Sequence, residues 1–543
     1  MDQGQPVSLS PPSRQGRCSA AGPVQGCGHV TMRGMTIEIE LKFRIPAGRL
    51  AALRRAVATS TARTVPLAAV YLDTADERLA QARVALRLRR EGAVWVQTLK
   101  AEGASDLQRL EHNVALGDSP VAPALDIGRH GGTAAGERLR LALGVAEASA
   151  LGARYATDIQ RTRRVLRSGG ARIELALDEG WISAGGQRLA VCELEFELLS
   201  GPPQALLDLA GRWVDRFELM LDMRSKSERG HLLAAGRWAS APAKAESPPL
   251  QKRDSPAQAF AAMLGAALRP LLRQASLLAD ADLAELVADQ PEHLHQLRVG
   301  LRRLRTVLAV FGDQQPAAEL APALAALFRK TGGQRDQDVL AATLWPALRA
   351  AGAPLVEWPP LAHGEAAGPL DSAVADGATL GALLATPAVQ RLWLALLATA
   401  QAPPADDGAA PSAALRPVLR LPLDKLLRQL HRDAARFEQL DDAQRHRLRR
   451  RIKRLRYALE SSATLWPARA LASMLKRLRQ AQDLLGEFND CGVALALYRD
   501  LAANDARAWF AVGWISAHRQ ALLPPCARAL VRLARQAAPW RKR

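Results

Sequence analysis

A chain of 543 residues is too long for one ordinary hydrophobic core, so two or three domains are expected, and 48% hydrophobic residues mark it as globular rather than disordered. No apolar run reaches the roughly 18–20 residues that a membrane-spanning helix needs, and five scattered cysteines without a CxxC spacing argue against a disulfide framework or a zinc site and fit a reducing cytoplasm. The net charge of +19 is uneven: residues 241–543 hold 41 Lys and Arg against 28 Asp and Glu, which is +13 of it. That half implies a polyanionic partner (nucleic acid, acidic membrane or polyphosphate), unless an Arg-rich composition alone accounts for the charge.

Residues 1–34 are rich in Gly, Pro, Ser and Arg and lack the apolar core of a secretory signal. They read as a disordered extension, or as an upstream start with Met32 or Met35 the natural beginning. Residues 35–237 mix alternating runs with a few helical ones, which predicts an α+β domain. The stretch ASAPAKAESPPLQKRDSP (239–256) has no periodicity and reads as a linker, placed at 238–255. Residues 256–540 are Leu/Ala/Arg-rich with helical periodicity, which predicts an all-α domain, interrupted by Ala/Pro-rich segments between 350 and 415.

Within IEIELKF (37–43), Ile37, Ile39, Leu41 and Phe43 alternate with Glu38, Glu40 and Lys42. Strict alternation puts the apolar side chains on one face of a strand and the charges on the other. The same split recurs around Arg87 and Arg89 in ALRLRR, Arg109 and Glu111 in QRLEHNV, and Arg161 and Arg163 in QRTRR. It recurs again for Glu174 and Asp178 in RIELALDEG, and for Glu193, Glu195 and Glu197 in VCELEFELL. A sheet with its charges in water has this pattern. So does a closed barrel whose charged faces line the interior and whose apolar faces meet helices. In a barrel neither sign stands alone, because unpaired buried charge is expensive. Lys42, Arg87, Arg89, Lys100, Arg109, Arg161, Arg163, Lys226 and Arg229 roughly balance the acids. Such a mixture is either a structural salt-bridge network or a site for a phosphate-rich anion with a hard cation.

Glu38-Ile-Glu40-Leu-Lys42 resembles the ExExK signature of the CYTH superfamily, the triphosphate tunnel metalloenzymes. The order YLDT (71–74), LRLRR (86–90), TLK (98–100), QRLEHNVAL (108–116), QRTRR (160–164), IELALDEG (173–180), CELEFELL (192–199) and SKSERG (225–230) extends the likeness over about 200 residues. YLDT and His112 are small departures. The resemblance implies an eight-stranded antiparallel tunnel that cuts inorganic triphosphate to pyrophosphate and phosphate with Mg²⁺ or Mn²⁺. Glu38, Glu40, Glu193 and Glu195 would be metal ligands. Lys42, Arg87, Arg89, Lys100, Arg161, Arg163 and Lys226 would hold phosphate, and Asp178 and Glu174 would be further acids near a metal or the attacking water. No Walker loop, nucleophile elbow or Cys/His pair is present, which favours direct attack by water.

In the helical half, His295, Arg298, Arg302 and Arg305 follow the spacing H-x-x-R-x-x-x-[RK]-R-L-R, repeated 151 residues later by His446, Arg449, Lys453 and Arg456. At 100° per residue these positions fall within an arc of roughly 80°, beside a Leu stripe. GGQRDQDV (332–339) is echoed by GEFNDCGV (486–493), which completes an internal duplication. A basic stripe is often just a solvated face. Two at matched spacing resemble the CHAD domain, which implies two related helical bundles that bind inorganic polyphosphate through these residues. No carboxylate or second His sits at ligand spacing, so His295 and His446 read as anion or hydrogen-bond contacts rather than metal ligands.

Other uses of the tunnel are thiamine triphosphate hydrolysis, adenylate cyclisation, or polyphosphate binding without catalysis. Only 4% aromatic residues leaves few stacking platforms, which disfavours nucleic acid as the partner.

Overall fold

A computed structural model describes residues 30–32, 35–103, 108–144, 148–284, 286, 289–312, 319–332, 344–355, 379–401 and 415–541. Its first half runs β1 Val30–Met32, β2 Met35–Arg44, α1 Ala47–Val57, β3 Arg63–Asp73, α2 Arg78–Gln81, β4 Val84–Glu91, β5 Val94–Glu102, β6 Gln108–Asp118, α3 Ala134–Leu143, β7 Gly152–Ser168, β8 Ala171–Ala184, β9 Gln187–Ser200, α4 Pro203–Phe217, β10 Met220–Leu221 and α5 Lys226–Ala234. The expected disordered extension lies outside the described residues except at its end, where Val30–Met32 forms a strand paired with Met35–Ile37.

The strands follow the order β2-β6-β5-β4-β3-β7-β8-β9, and β9 pairs back onto β2, so eight antiparallel strands close a barrel. Two hairpins are made by glycine pairs at positive φ, Gly169-Gly170 (57° and 75°) and Gly185-Gly186 (55° and 78°). Such two-residue turns match the right-handed twist of the strands that they join. Directly paired residues share a face, and the register places charge opposite charge. Lys42 faces Glu195, Arg161 faces Asp178, Lys100 faces Glu111 and Glu38 faces Arg109. Charge therefore points into the barrel.

The apolar faces meet helices outside. Leu41, Phe43, Leu175 and Phe196 pack with Trp213 and Phe217 of α4, and Phe43 meets Phe196 edge-on at 5.6 Å. Leu86, Leu99 and Ala101 pack against Leu139 and Leu143 of α3. At one end of the lumen the contents turn apolar: Leu67, Tyr71, Tyr155, Ile159, Ile182 and Val191 close around Leu233 of α5. Helix α5 seals that end.

The second half is helical: α6 Pro256–Leu278, α7 Ala281–Ala284, α8 Gln290–Phe311 and α9 Ala321–Lys330, then helices Leu380–Ala385, Pro387–Gln401, Leu415–Ala435, Asp442–Ser461, Ala468–Ala502 and Ala508–Ala534. Helix Pro387–Gln401 packs against α4, so one apolar core runs from the barrel's outer face into the helices. The segment 240–255 has no regular structure. It lies against the helices all the same, with Leu250 buried and its carbonyl accepting from Thr464 Oγ1 at 2.9 Å. Among the described residues no helix is long and apolar enough to cross a membrane.

Candidate active site

Strands β2, β8 and β9 put carboxylates along one wall of the lumen. Asp178, Glu193 and Glu195 each offer an oxygen within 4.8 Å of the others, the group among the described residues with the spacing of a metal site. Asp178 and Glu193 are buried, and the Glu195 side chain is 12% exposed. Lys226, the first residue of α5, puts its ammonium among all three, at 2.9 Å from Glu195 Oε1. The cap on α5 fixes that position: Ser225 Oγ accepts from the Glu228 amide at 3.0 Å, which starts the helix at Lys226. One turn on, Arg229 donates to Glu193. Arg161 of β7 grips Asp178 with two parallel bonds of 2.7 and 2.6 Å and also reaches Glu195.

Burial alone would neutralise Asp178, Glu195 and Lys226, and their neighbours overrule it. Burial pushes Asp178 up, but Arg161 and Lys226 hold its pKa below the ordinary value; Glu195 falls further, under Lys226, Arg161 and Lys42. Burial works against the Lys226 ammonium, yet Asp178, Glu193 and Glu195 hold its pKa above the usual lysine range. Asp178, Glu195 and Lys226 are thereby held in their charged forms.

The other expected metal ligands stand apart from this group. Glu38 accepts from Lys100 at 2.6 Å, with Glu111 on the same ammonium at 3.2 Å. Glu40 and Glu195 each lie 3.7 Å from Lys42. Burial raises the Glu38 pKa well above the ordinary value despite Lys100, and Glu111 and Glu40 add to the rise. Glu197, opposite both Glu40 and Glu174 in register, is pushed up to about 7 by burial, with Glu174, Glu111 and Glu40 raising it against Lys100.

The facing wall is basic. Arg87 donates to the Tyr71 hydroxyl at 2.8 Å, and Arg163 stands 3.6 Å from Glu174. Arg89 pairs with Glu91; burial and the neighbouring Arg87 lower its pKa, and Arg161 lowers it further. Arginines crowded against arginines in a closed lumen are poised for an anion. Sequence reasoning counted Arg229 only among the bases that balance the acids and gave Tyr71 no role. The i, i+3 spacing of Lys226 and Arg229 is the signal that points to the first.

In the helical half the two basic stripes meet, because α8 packs against helix Asp442–Ser461. Arg298, Arg302 and Arg305 gather over the Phe328 ring at 4.5, 4.9 and 5.4 Å. Arg298 also donates to Thr331 Oγ1 at 3.2 Å. His295 lies on the same helix. His446 Nδ1 donates to Asn489 Oδ1 at 2.7 Å, Arg449 lies 3.8 Å from Asp490, and Arg456 donates to Gln482 and Glu460 at 2.8 Å. Lys453 has no hydrogen-bond or ion-pair partner among the described residues. Burial pushes its pKa down to about 6, with Arg449 and Arg302 adding to the fall. The motif at 332–339 lies outside the described residues beyond Gly332, as does most of the interrupted region between 350 and 415.

Residues 36–230 match the CYTH domain and residues 266–499 match the CHAD domain, so the chain carries one of each. A stretch of 171 residues is 30% identical to an inorganic triphosphatase of Haemophilus influenzae; it takes in 31% of this chain and 46% of that protein, less than half of its length. Among solved structures, the CHAD domain of the plant Ricinus communis is 29% identical, with 55% of this chain and 99% of that one covered and a TM-score of 0.43. A Hippeastrum protein described as having a dominant triphosphatase activity is 20% identical, with 37% and 96% covered and a TM-score of 0.28.

Proposed function

We propose that this chain, joining a CYTH domain to a CHAD domain, hydrolyses inorganic triphosphate to pyrophosphate and phosphate inside the barrel, while its helical half binds polyphosphate. The observation that carries the reading is a single closed lumen in which an arginine wall, Arg87 and Arg89 opposite and Arg161 and Arg163 beside β8, meets a carboxylate wall. A chain of phosphates matches the first wall directly. It matches the second through a hard cation.

The three oxygen-donor side chains Asp178, Glu193 and Glu195, with no sulfur or imidazole among them, suit Mg²⁺ or Mn²⁺. Glu38 and Glu40 are the remaining carboxylates of the expected set. A cation bound there supplies neutralisation of charge on phosphate oxygens. The chain's own residues do the rest. Arg87 and Arg89 take phosphate oxygens and so relieve their mutual repulsion. Arg161, already oriented by Asp178, donates to the phosphoryl group under attack. Lys42, Lys100 and Lys226 offset the charge that builds up on the leaving pyrophosphate. Asp178, held ionised, orients water toward phosphorus.

Polyphosphate would lie along the joined stripes of α8 and helix Asp442–Ser461, contacting His295, Arg298, Arg302, Arg305, His446, Arg449, Lys453 and Arg456. Lys453, half-buried among arginines and without a partner among the described residues, supports this, because an arriving polyanion favours its charged form. A cytoplasmic location fits the free thiols Cys192, Cys491 and Cys526.

The test offers triphosphate, ATP, thiamine triphosphate and long polyphosphate in parallel, with Mg²⁺ or Mn²⁺. Selective phosphate release from triphosphate is expected. No turnover on any of the four, with polyphosphate binding retained, would make the protein a binding protein with an idle tunnel.

A further inference from the structure

Two elements that carry lumen lysines end at the helical half. Strand β2 finishes Lys42-Phe43-Arg44, and the segment before α5 runs Leu221-Asp222-Met223-Arg224-Ser225 into Lys226. The two are tied together: β10 pairs with Phe43 and Arg44, and the Asp222 amide donates to the Lys42 carbonyl at 2.9 Å. Among the described residues no strand lies beside the outer edge of β10. Side chains of the helices satisfy it instead. Gln390 Oε1 accepts from the Leu221 amide at 2.8 Å, while its Nε2 donates to the Leu384 carbonyl at 2.8 Å. Ser276 Oγ donates to the Leu221 carbonyl at 3.0 Å and accepts from the Met223 amide at 3.2 Å.

Charge locks the same place. Asp280, 4% exposed, holds Arg224 at 3.0 Å and Arg44 at 3.0 Å. Arg224 is also gripped by Asp222 at 2.9 and 2.7 Å. Farther along, Arg273 of α6 donates to Glu228 of α5 at 2.8 Å. One buried carboxylate from the helical half thus bridges two arginines, each two residues from a lumen lysine. Merely joining the halves does not need this arrangement, since α4 and helix Pro387–Gln401 already share an apolar core.

We infer that Asp280, with Ser276 and Gln390, is a positioning residue for the barrel. The helical half fixes segment 221–225, and through it sets the Lys226 ammonium among Asp178, Glu193 and Glu195. For turnover this rests on the triphosphatase reading; for the position of Lys226 it does not. Asp280→Asn keeps the shape and removes the charge, so Arg44 loses its ion pair and Arg224 keeps only Asp222. Segment 221–225 then loosens and Lys226 leaves the cluster part of the time. Misplacement of a site group by an ångström is enough to cost orders of magnitude in rate.

The test uses the full chain and reads Lys226 directly. Acetic anhydride labelling of Lys226, normalised to the exposed Lys425, is compared by mass spectrometry in the wild type, Asp280→Asn, Asp280→Glu, Gln390→Ala and Arg391→Ala. Arg391 forms an exposed pair with Asp215 across the same interface, at 3.7 Å, and serves as the control for simple loosening. Labelling of Lys226 is expected to rise at least about tenfold in Asp280→Asn and Gln390→Ala, to recover in Asp280→Glu and to stay unchanged in Arg391→Ala. In parallel, kcat for triphosphate should fall in Asp280→Asn and Gln390→Ala with a smaller change in KM. Unchanged Lys226 labelling in folded Asp280→Asn and Gln390→Ala would overturn the inference, as would an equal rise in Arg391→Ala. A wild type that labels as expected yet turns over nothing would overturn the triphosphatase reading alone.

Discussion

Lys226 Nζ on α5 lies 2.9 Å from Glu195 Oε1 on β9, and the same ammonium pairs with Asp178 and Glu193. One lysine thus sits among three buried carboxylates and, together with Arg161, holds Asp178 and Glu195 ionised against burial. Removing one partner of a buried ion pair costs about 3–5 kcal/mol, because the other charge is left uncompensated. Lys226→Met is expected to lower the melting temperature sharply at pH 7. The sign of the pH dependence follows from the lowered Asp178 and Glu195 pKa values. Depressed carboxylates contribute stability above their unfolded pKa of about 4 and lose it as pH falls through the folded value. The gap between the variant and the wild type should therefore narrow in acid. Mg²⁺ should raise the melting temperature of Lys226→Met more than that of the wild type, since a cation can take the vacated position. Equal Mg²⁺ responses would count against a metal at this cluster.

Arg161 holds Asp178 through two parallel bonds, a geometry that lysine cannot reproduce. Arg161→Lys keeps the charge and loses the fork. A drop in kcat of about 10²-fold is expected, with the fold retained by circular dichroism. Wild-type kcat in this variant would remove Arg161 from the chemistry.

A Cβ on Gly230 would lie 2.2 Å from the Tyr155 ring. That ring cannot retreat: it stacks on Tyr71 at 4.6 Å, and its hydroxyl bonds Ser227 at 2.8 Å. Gly230→Ala should therefore push α5 outward, destabilising the protein by about 1–3 kcal/mol and abolishing turnover together. Thermal melting and triphosphate assays on the same sample check this, and a stable, active variant would contradict the sealed end of the barrel.

Lys453, at about pKa 6, is largely neutral at pH 7.5 in the free protein. A bound polyanion raises that pKa, so binding takes up a proton. Polyphosphate affinity should then weaken as pH rises from 6 toward 8, and titration calorimetry in buffers of different ionisation enthalpy should show the uptake. Lys453→Arg should flatten the profile. Lys453→Met should bind polyphosphate less tightly and abolish the proton uptake, because it removes the group that gains the proton on binding.

Much of this was legible in the sequence because period two fixes the face of every strand residue. In IEIELKF, IELALDEG and CELEFELL the alternation separates a charged from an apolar side, which fits an exposed sheet as well as a closed barrel; the eight-stranded tunnel came with the CYTH resemblance. The sequence did not say which acids meet. Asp178 joins Glu193 and Glu195 through the β8–β9 register, whereas Glu38 lies along the wall with Lys100 and Glu111, and registers are set by hairpins and twist rather than by composition. The partner of Arg229 and the Asp280 bridge were hidden for a similar reason. They depend on how α5 enters the barrel end and on helices docked more than fifty residues away in sequence. The matched spacing of His295–Arg305 and His446–Arg456 showed two stripes, but not that α8 and helix Asp442–Ser461 bring them together.

The most direct measurement follows inorganic triphosphate by phosphorus NMR with the full chain and Mg²⁺, beside Glu193→Ala. Pyrophosphate and phosphate appearing in equal amounts, and neither appearing with the variant, is the result the account predicts. Products that persist in Glu193→Ala, or no products from the wild type with either Mg²⁺ or Mn²⁺, would contradict it.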